Sequence, residues 1–546
     1  MSAADRQLMR ATGSMAGGTI VSRITGMVRN TMLIAAIGTG VFSDTFTVAN
    51  TVPNIVYILL VGGALNAVFI PQLVKHMRDD GDQGTAYAQR LITATGSVLL
   101  VISALAVALA PWIVRLYGSS AWSADDFDTA VTFARYCLPQ IFFYGVYAML
   151  SQVLNARDRF AWPMYAPVVN NVVVIASCAA FLALVAEPPT TSEATSGELA
   201  LLGLGATLGV VAQAVVLVPV LRRAGFRYRP RFDLRGQGLG TAAHLAKWTV
   251  LFVLTNQLAY VVITRLATTA GKLTADQGGY GAGFTVYSTA HLIFLLPHSI
   301  ITVSLVTALL PRMSRDAHAG ALNLVRRDVA RGVNLATAAM VPAAALLVLL
   351  GPRIGVLLFN YGNSTFEDAR YLGLVVSFFA LGLPAFSAYY VLLRGYYAQE
   401  DTRTPFTINV GLNLVNVALA LAITAALPPD QQAAGLAVAY SVAYWLALGV
   451  SWLVLRRRLG GLETYLVVRT AVRVSIATGI ALAIGFGLVA SGLVADGSQL
   501  TPLTALVSTA VIGSVFAAAY LLVARRLRVR ELDVIVDPVL RRLRRR

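Results

Sequence analysis

The first long apolar stretch of this chain, Met15 to Ile37, carries two arginines, Arg23 and Arg29. That run is long enough to cross a bilayer, where an ionised side chain costs several kcal/mol unless it meets water, a partner or an anionic ligand. Two guanidiniums in one span point to a cavity built for an anion, and their planar forks match phosphate oxygens. On an ideal helix their spacing puts them about 120° apart. Gly26 lies between them, with Gly13, Gly17 and Gly18 before, so a bend or unwinding at Gly26 is expected to bring both heads into one cavity. The competing reading is that one of the pair, Arg23 before the deeper Arg29, snorkels to the surface.

The rest of the chain is of the same kind. With 57% hydrophobic and 13% charged residues and a mean hydropathy of +0.70, a soluble globular protein is excluded. Apolar runs recur from end to end, and we read fourteen candidate spans, beginning near Met15, Phe42, Ala86, Ala124, Trp162, Leu199, Ala242, Tyr280, Leu324, Phe366, Thr404, Gln431, Leu466 and Leu503. The expected fold is an all-α integral membrane protein of fourteen transmembrane helices. Cys137 and Cys178 both fall inside spans and read as small core residues, with no disulfide framework. Met1 to Arg10 reads as a short cytoplasmic lead, and no cleavable signal peptide is expected.

Charge sets the expected orientation. Basic residues crowd every second connection: Lys75 and Arg78, Arg157 and Arg159, Arg222 to Arg235, Arg312 to Arg327, Arg403, and Arg456 to Arg458. The intervening connections are acidic, with Asp125 and Asp126, Glu187 and Glu193, Asp276, Glu367 and Asp368, Asp430 and Asp496. This alternation follows the positive-inside rule with both termini cytoplasmic, and it requires an even number of spans. The net charge of +17 is therefore no sign of nucleic-acid binding. Arg222 to Arg235 and the Arg541 to Arg546 tail read as anchors on anionic membrane lipids, with a partner-binding tail as the alternative.

The chain also repeats itself. Ile70-Pro71-Gln72-Leu73 answers Leu310-Pro311-Arg312-Met313 at an offset of 311 − 71 = 240, and Pro163 answers Pro405 at 405 − 163 = 242. Asn171 and Asn413 share the latter offset, as do Arg23 and Arg265. A constant offset that is even in spans implies parallel repeats. The expected organisation is a first six-helix lobe over 1–236, a second over 237–463, and two extra helices with a basic cytoplasmic tail over 464–546. The two lobes are expected to surround a central cavity.

Further polar residues fall inside spans. Asp44 opens the second, placed either to pair with an arginine or to cap the helix N-terminus. Asn50, Pro53 and Asn54 follow, and Pro53 should kink the helix and free carbonyls near an aqueous cavity. In the second lobe Arg265, Asn256, Gln257, His291 and His298 are candidates. The two histidines share a face without a third ligand, so no metal is expected. Each histidine has a packing role as its alternative to lining the cavity. Arg394 with Tyr389, Tyr390, Tyr396 and Tyr397 reads as an interfacial belt. Phosphate-cradling glycine loops, metal-spaced clusters and acidic pairs in outer loops are all missing, so neither an enzyme nor a cofactor is expected.

Certain segments resemble a known family. Ser22-Arg23-Ile24-Thr25-Gly26-Met27-Val28-Arg29, Ser43-Asp44-Thr45-Phe46 and Val52-Pro53-Asn54 are similar to the start of MurJ (MviN-type) lipid II flippases. Ala156 through Pro167, Leu310 to Ser314 and the Thr402-Arg403-Thr404-Pro405 turn continue the likeness. That family lies in the multidrug/oligosaccharidyl-lipid/polysaccharide exporter superfamily. The resemblance implies two six-helix lobes and a flippase carrying the undecaprenyl-diphosphate-linked peptidoglycan precursor (lipid II) from the inner to the outer leaflet of the bacterial cytoplasmic membrane. It assigns Arg23, Arg29 and Asp44 to functional positions and the last two helices to a groove for the lipid tail. This chain departs from the family pattern at Tyr57-Ile58 and Gly62, where an Arg and a Glu are usual, and at Leu292, where an Arg is usual.

The reading that follows is lipid II flipping by alternating access, as a monomer, with Arg23, Arg29, Asp44, Asn54, Arg265 and His291 as substrate-binding candidates. A cation-coupled exporter of drugs or small metabolites is the alternative on the same fold, and it would want more membrane carboxylates than Asp44. A cell-wall scaffold or polymerase is a third reading, disfavoured by short outer segments.

Overall fold

A computed structural model describes residues 3–59, 84–157, 159–185, 187–233, 239–279, 281–494 and 500–532. Ile70 to Leu73, Lys75, Arg78, Gly62, Asp158, Tyr280, Arg235, Asp496 and the Arg541 to Arg546 tail lie outside the described residues. Every regular element among the described residues is a helix. Lipid offers the backbone no hydrogen-bond partner, so an apolar run must satisfy its own amides and carbonyls.

Two compact units divide the chain, one covering Met1–Ala275 with Tyr361–Ser364, the other Asp276–Asn360 with Thr365–Arg546. In the first unit the helices are α1 (Ala3–Ile37), α2 (Val41–Leu59), α3 (Thr85–Ala108), α4 (Ala110–Tyr117), α5 (Ala124–Cys137), α6 (Gln140–Ala156), α7 (Ala161–Leu184), α8 (Ser196–Val215), α9 (Leu217–Arg223) and α10 (Leu239–Asp276). Contacts at one end explain why α10, expected to open the second lobe, belongs to this unit. Lys272 Nζ lies 3.2 Å from Asp126 Oδ2, and the Ser119 and Thr269 hydroxyls are 2.8 Å apart.

The second unit holds α11 (Phe284–Pro297), a π-turn (His298–Thr302), α12 (Val303–His318), α13 (Leu322–Phe359), α14 (Phe366–Ala380), α15 (Leu383–Tyr397), α16 (Arg403–Ala426), α17 (Pro429–Arg458), α18 (Thr464–Ala490) and α19 (Pro502–Arg526). Helices α13 and α14 cross closely: a Cβ on Gly373 would lie 2.1 Å from the Gly351 carbonyl oxygen, the small-residue contact that membrane helices use. The last two helices pack on α13, with Ala338, Leu349 and Leu350 against Ala477, Ile512 and Phe516. Tyr520 Oη donates to the Ala338 carbonyl at 2.8 Å.

Twelve of these helices or helix pairs are long and apolar enough to cross a membrane, or thirteen when α14 and α15, bent by 46°, count as one span. The expected fourteenth, α2, is not among them. It ends at Leu59, carries Asp44, Asn50, Pro53 and Asn54, and runs into residues outside the description.

Asp126 and Asp368, read as orientation signals, also do local work, as does Glu198. Ser123 with Asp126, Thr195 with Glu198 and Thr365 with Asp368 form capping boxes, each pair satisfying orphan amides at a helix start.

Candidate functional site

Helix α1 runs uninterrupted from Ala3 to Ile37, so Gly26 does not unwind it. Glycine serves packing here. A Cβ on Gly18 would sit 2.9 Å from Met164 Cβ on α7, too close without a shift, whereas one on Gly26 would lie 3.6 Å from Asn171 Nδ2. Asn171 fixes the rotation of α1: its Nδ2 donates to the Ser22 carbonyl at 3.2 Å and to Thr25 Oγ1 at 2.9 Å.

That rotation decides where each arginine points. Ser22, Thr25 and Arg29 fall on one stripe at helical spacing. Arg29 is accordingly half-buried, close enough to Tyr144 and Cys178 to act on them electrostatically. Its Nη2 donates to Asn30 Oδ1 at 3.3 Å. Arg23 is exposed and shares the opposite face with Ile20 and Ile24, 56% and 59% exposed. The two guanidiniums stand on different faces, displaced by about 9 Å along the axis, and the structure does not bring them together.

Asp44 is 1% exposed in the first turn of α2, where the helix dipole favours a carboxylate. Asn50 Oδ1 accepts from Gln140 Nε2 at 3.1 Å, tying α2 to α6. Asn54 is exposed on the same helix, and Pro53 is buried.

Arg265 has a different setting. Its Nη1 donates to the Arg115 carbonyl at 2.7 Å, at the C-terminal end of α4, where orphan carbonyls attract a cation. Arg115 itself lies 5.6 Å from the ring centroids of both Trp112 and Phe127.

His291 belongs to an aromatic cluster in the second unit. Its ring stacks on Phe294 at 5.5 Å and meets Phe379 and Tyr440 at 5.2 Å each. The His291 Nε2 and Tyr440 Oη are 3.2 Å apart. Leu292 beside it is 45% exposed. His298 is buried, its Nδ1 lying 2.9 Å from Ser387 Oγ, and it opens the π-turn that follows Pro297, a local widening often found at functional positions. Among the described residues no three His, Cys, Asp or Glu side chains converge as a metal site requires.

Two readings change. Tyr389 and Tyr396, taken as an interfacial belt, are core residues at 4% and 0% exposure; Tyr396 Oη donates to the Ser451 carbonyl at 2.8 Å. Asn171, noted in the sequence as a repeat match, orients the whole arginine-bearing helix. An amide in mid-span was the available signal, since such a group must find a partner.

An all-helical, multi-pass chain with arginines on a membrane-crossing helix is the frame of a membrane transporter. The fold agrees with two solved structures. One is described as the lipid II flippase MurJ in an inward closed conformation, with TM-score 0.74, 17% identity, and 96% of this chain and 99% of that one covered. The other is a multidrug resistance MATE family transporter of the MOP superfamily, with TM-score 0.62, 13% identity and coverage of 81% and 96%. A family profile described as lipid II flippase MurJ matches residues 33–522. The probable lipid II flippase MurJ of Rhizobium meliloti is 31% identical over 446 residues, 80% of this chain and 79% of that protein. The lipid II flippase MurJ of Burkholderia cenocepacia is 28% identical over 419 residues, 75% and 77% of the two chains. The chain belongs to the MurJ lipid II flippase family.

Proposed function

We propose that this chain carries lipid II across the bacterial cytoplasmic membrane, from the inner to the outer leaflet, by alternating access. It is a transporter, moving its substrate without transforming it. The observation that carries this reading is Arg29, half-buried in a membrane-crossing helix of a chain matched by the family over residues 33–522. A guanidinium held there has one natural counter-ion in lipid II, the diphosphate that joins polyprenol to sugar.

Arg29 is assigned to the diphosphate, and Arg23 to the same group as it arrives along the open face of α1. Asp44 competes for the arginines when substrate leaves, and Asn54 contributes a hydrogen bond to the headgroup. Arg265 and His291 act from further off, the first through the α4 terminus and the second through its aromatic setting. Both chain termini are on the cytoplasmic side, the protein acts as a monomer, and the halves over 1–236 and 237–463 descend from one duplicated unit. Outward transfer of the diphosphate is favoured by an inside-negative potential, by about 2.3 kcal/mol per charge per 100 mV.

The test is depletion of the protein in its host with lipid II quantified in each leaflet. Precursor accumulating on the inner face, with none arriving outside, is the expected result. An unchanged distribution with no second flippase present would overturn the assignment and favour cation-coupled export through Asp44.

A further inference from the structure

Between α16 and α17 runs a groove of about 610 Å³ that the transport reading does not use. Its mouth is formed by Asp401, Arg403 and Arg458, and its depth by Ile408, Val415 and Val450. From Arg403 to Val415 is twelve helical steps, about 18 Å, close to the roughly 15 Å of hydrocarbon in one leaflet. Gly411 lines this groove, and a Cβ there would meet nothing within 4 Å. Charge at the mouth is two guanidiniums against one carboxylate. Arg458 Nη1 is bonded to Asp401 Oδ2, and the three side chains of the mouth together carry a single net positive charge.

The first unit has an independent counterpart. A pocket of about 450 Å³ lies between the start of α7 and the end of α9, lined by Arg159, Trp162 and Arg223. Trp162 answers Thr404 at an offset of 404 − 162 = 242, so the two openings occupy equivalent places in the repeat. An indole stands in the first where a hydroxyl stands in the second. The lining of the first pocket stops at the helix ends, whereas the second continues along the helices.

We propose that the α16–α17 groove is a binding site for an anionic phospholipid, with the phosphodiester at Arg403 and Arg458 and one acyl chain lying along Gly411 to Val415. The net charge of the mouth matches a monoanionic headgroup and gives a zwitterionic one no such advantage. The length of the groove matches one chain in one leaflet. A single guanidinium near the membrane surface accounts for roughly a fivefold preference between the two headgroups.

The experiment uses the full chain, purified in detergent, with retained lipid counted by native mass spectrometry after titration with dioleoyl phosphatidylglycerol or dioleoyl phosphatidylcholine. Phosphatidylglycerol is expected to be retained roughly fivefold better. Gly411→Leu, which fills the groove, is expected to abolish that preference. Gly449→Leu, on α17 with open space around it and outside the groove lining, is expected to keep it. Should Gly411→Leu fail to fold, Val450→Trp closes the groove from its other wall and must give the same loss. Equal retention of the two lipids, or full phosphatidylglycerol retention in Gly411→Leu, overturns the proposal. So does displacement by glycerol 3-phosphate, which lacks a chain, or by equimolar undecaprenyl phosphate, which would make the groove a carrier-lipid site.

Discussion

The two compact units of this chain carry different chemistry on helical frames. The first puts charge in the membrane: Arg23 and Arg29 stand on one helix whose rotation Asn171 sets from α7. The second gathers rings, with His291 among Phe294, Phe379 and Tyr440. Asn171 reaches a neighbouring helix, and Asn413 Nδ2 donates to the Asn409 carbonyl at 2.9 Å. An apolar span constrains a sequence to be helical, whereas its few polar positions are set by what each side chain meets. On the proposed function, anion recognition rests mainly with the first unit.

The largest effects should follow from removing that charge. Arg29→Ala and Arg23→Ala are each expected to abolish growth when present as the sole copy. A charge-assisted hydrogen bond contributes about 1.5–3 kcal/mol, so each loss should weaken binding of the diphosphate by roughly 10- to 150-fold. His291→Phe, which keeps the ring stack, should cost little in the same assay. A reversed ranking, with His291→Phe lethal and Arg29→Ala tolerated, would move recognition to the aromatic half.

Next in size is the tie that orients the charged helix. Asn171→Ala removes two hydrogen bonds between α1 and α7 and should lower stability by about 1–2 kcal/mol, the upper range for polar contacts between membrane helices. Thr424→Ala on α16 should cost less, since its hydroxyl donates to the Ala420 carbonyl, one turn back on its own helix, at 2.9 Å. Thermal unfolding in detergent compares the two directly. Equal losses would show that the asymmetry seen in the hydrogen bonds has no energetic counterpart.

Much of this organisation was legible in the sequence because lipid imposes a simple rule. Apolar runs of crossing length must be helices, and Arg23 and Arg29 inside one of them are groups that lipid alone does not accommodate. Side-chain direction was not legible. Spacing alone put the arginines on different faces, and Gly26 suggested a local break, yet it takes Asn171 to hold a continuous helix in one rotation. Arg265 matched Arg23 in register but serves the end of α4, because an offset says nothing of what a side chain meets. Tyr396 looked interfacial from its position at a helix end, whereas its hydroxyl is consumed by the Ser451 carbonyl in the core. The π-turn after Pro297 carried only the proline as a signal.

The smallest effect sharpens the comparison at its most local. The turn preceding α7 is held by a cation: Arg157 Nη1 donates to the Ala224 carbonyl at 2.8 Å and Nη2 to Thr85 Oγ1 at 3.0 Å. The equivalent turn preceding α16 is held by an anion, Asp401, which accepts from the Arg403 and Thr404 amides at 3.0 Å each. Burial pushes the Asp401 carboxyl up, but the Thr404 hydrogen bonds and the Arg458 guanidinium outweigh it and hold it below the ordinary carboxylate value. A carboxylate with a depressed folded pKa stabilises the fold above its unfolded value, about 3.9, and that stabilisation fades as pH falls through the lower folded value. The second turn should therefore loosen in acid while the Arg157 turn, whose donor stays charged, does not. Asp401→Asn should lower the melting temperature slightly at pH 6 and flatten its decline as pH falls below the ordinary carboxylate value of about 3.9. An unchanged acid slope in Asp401→Asn would mean that the two turns, opposite in charge, are alike in what they contribute.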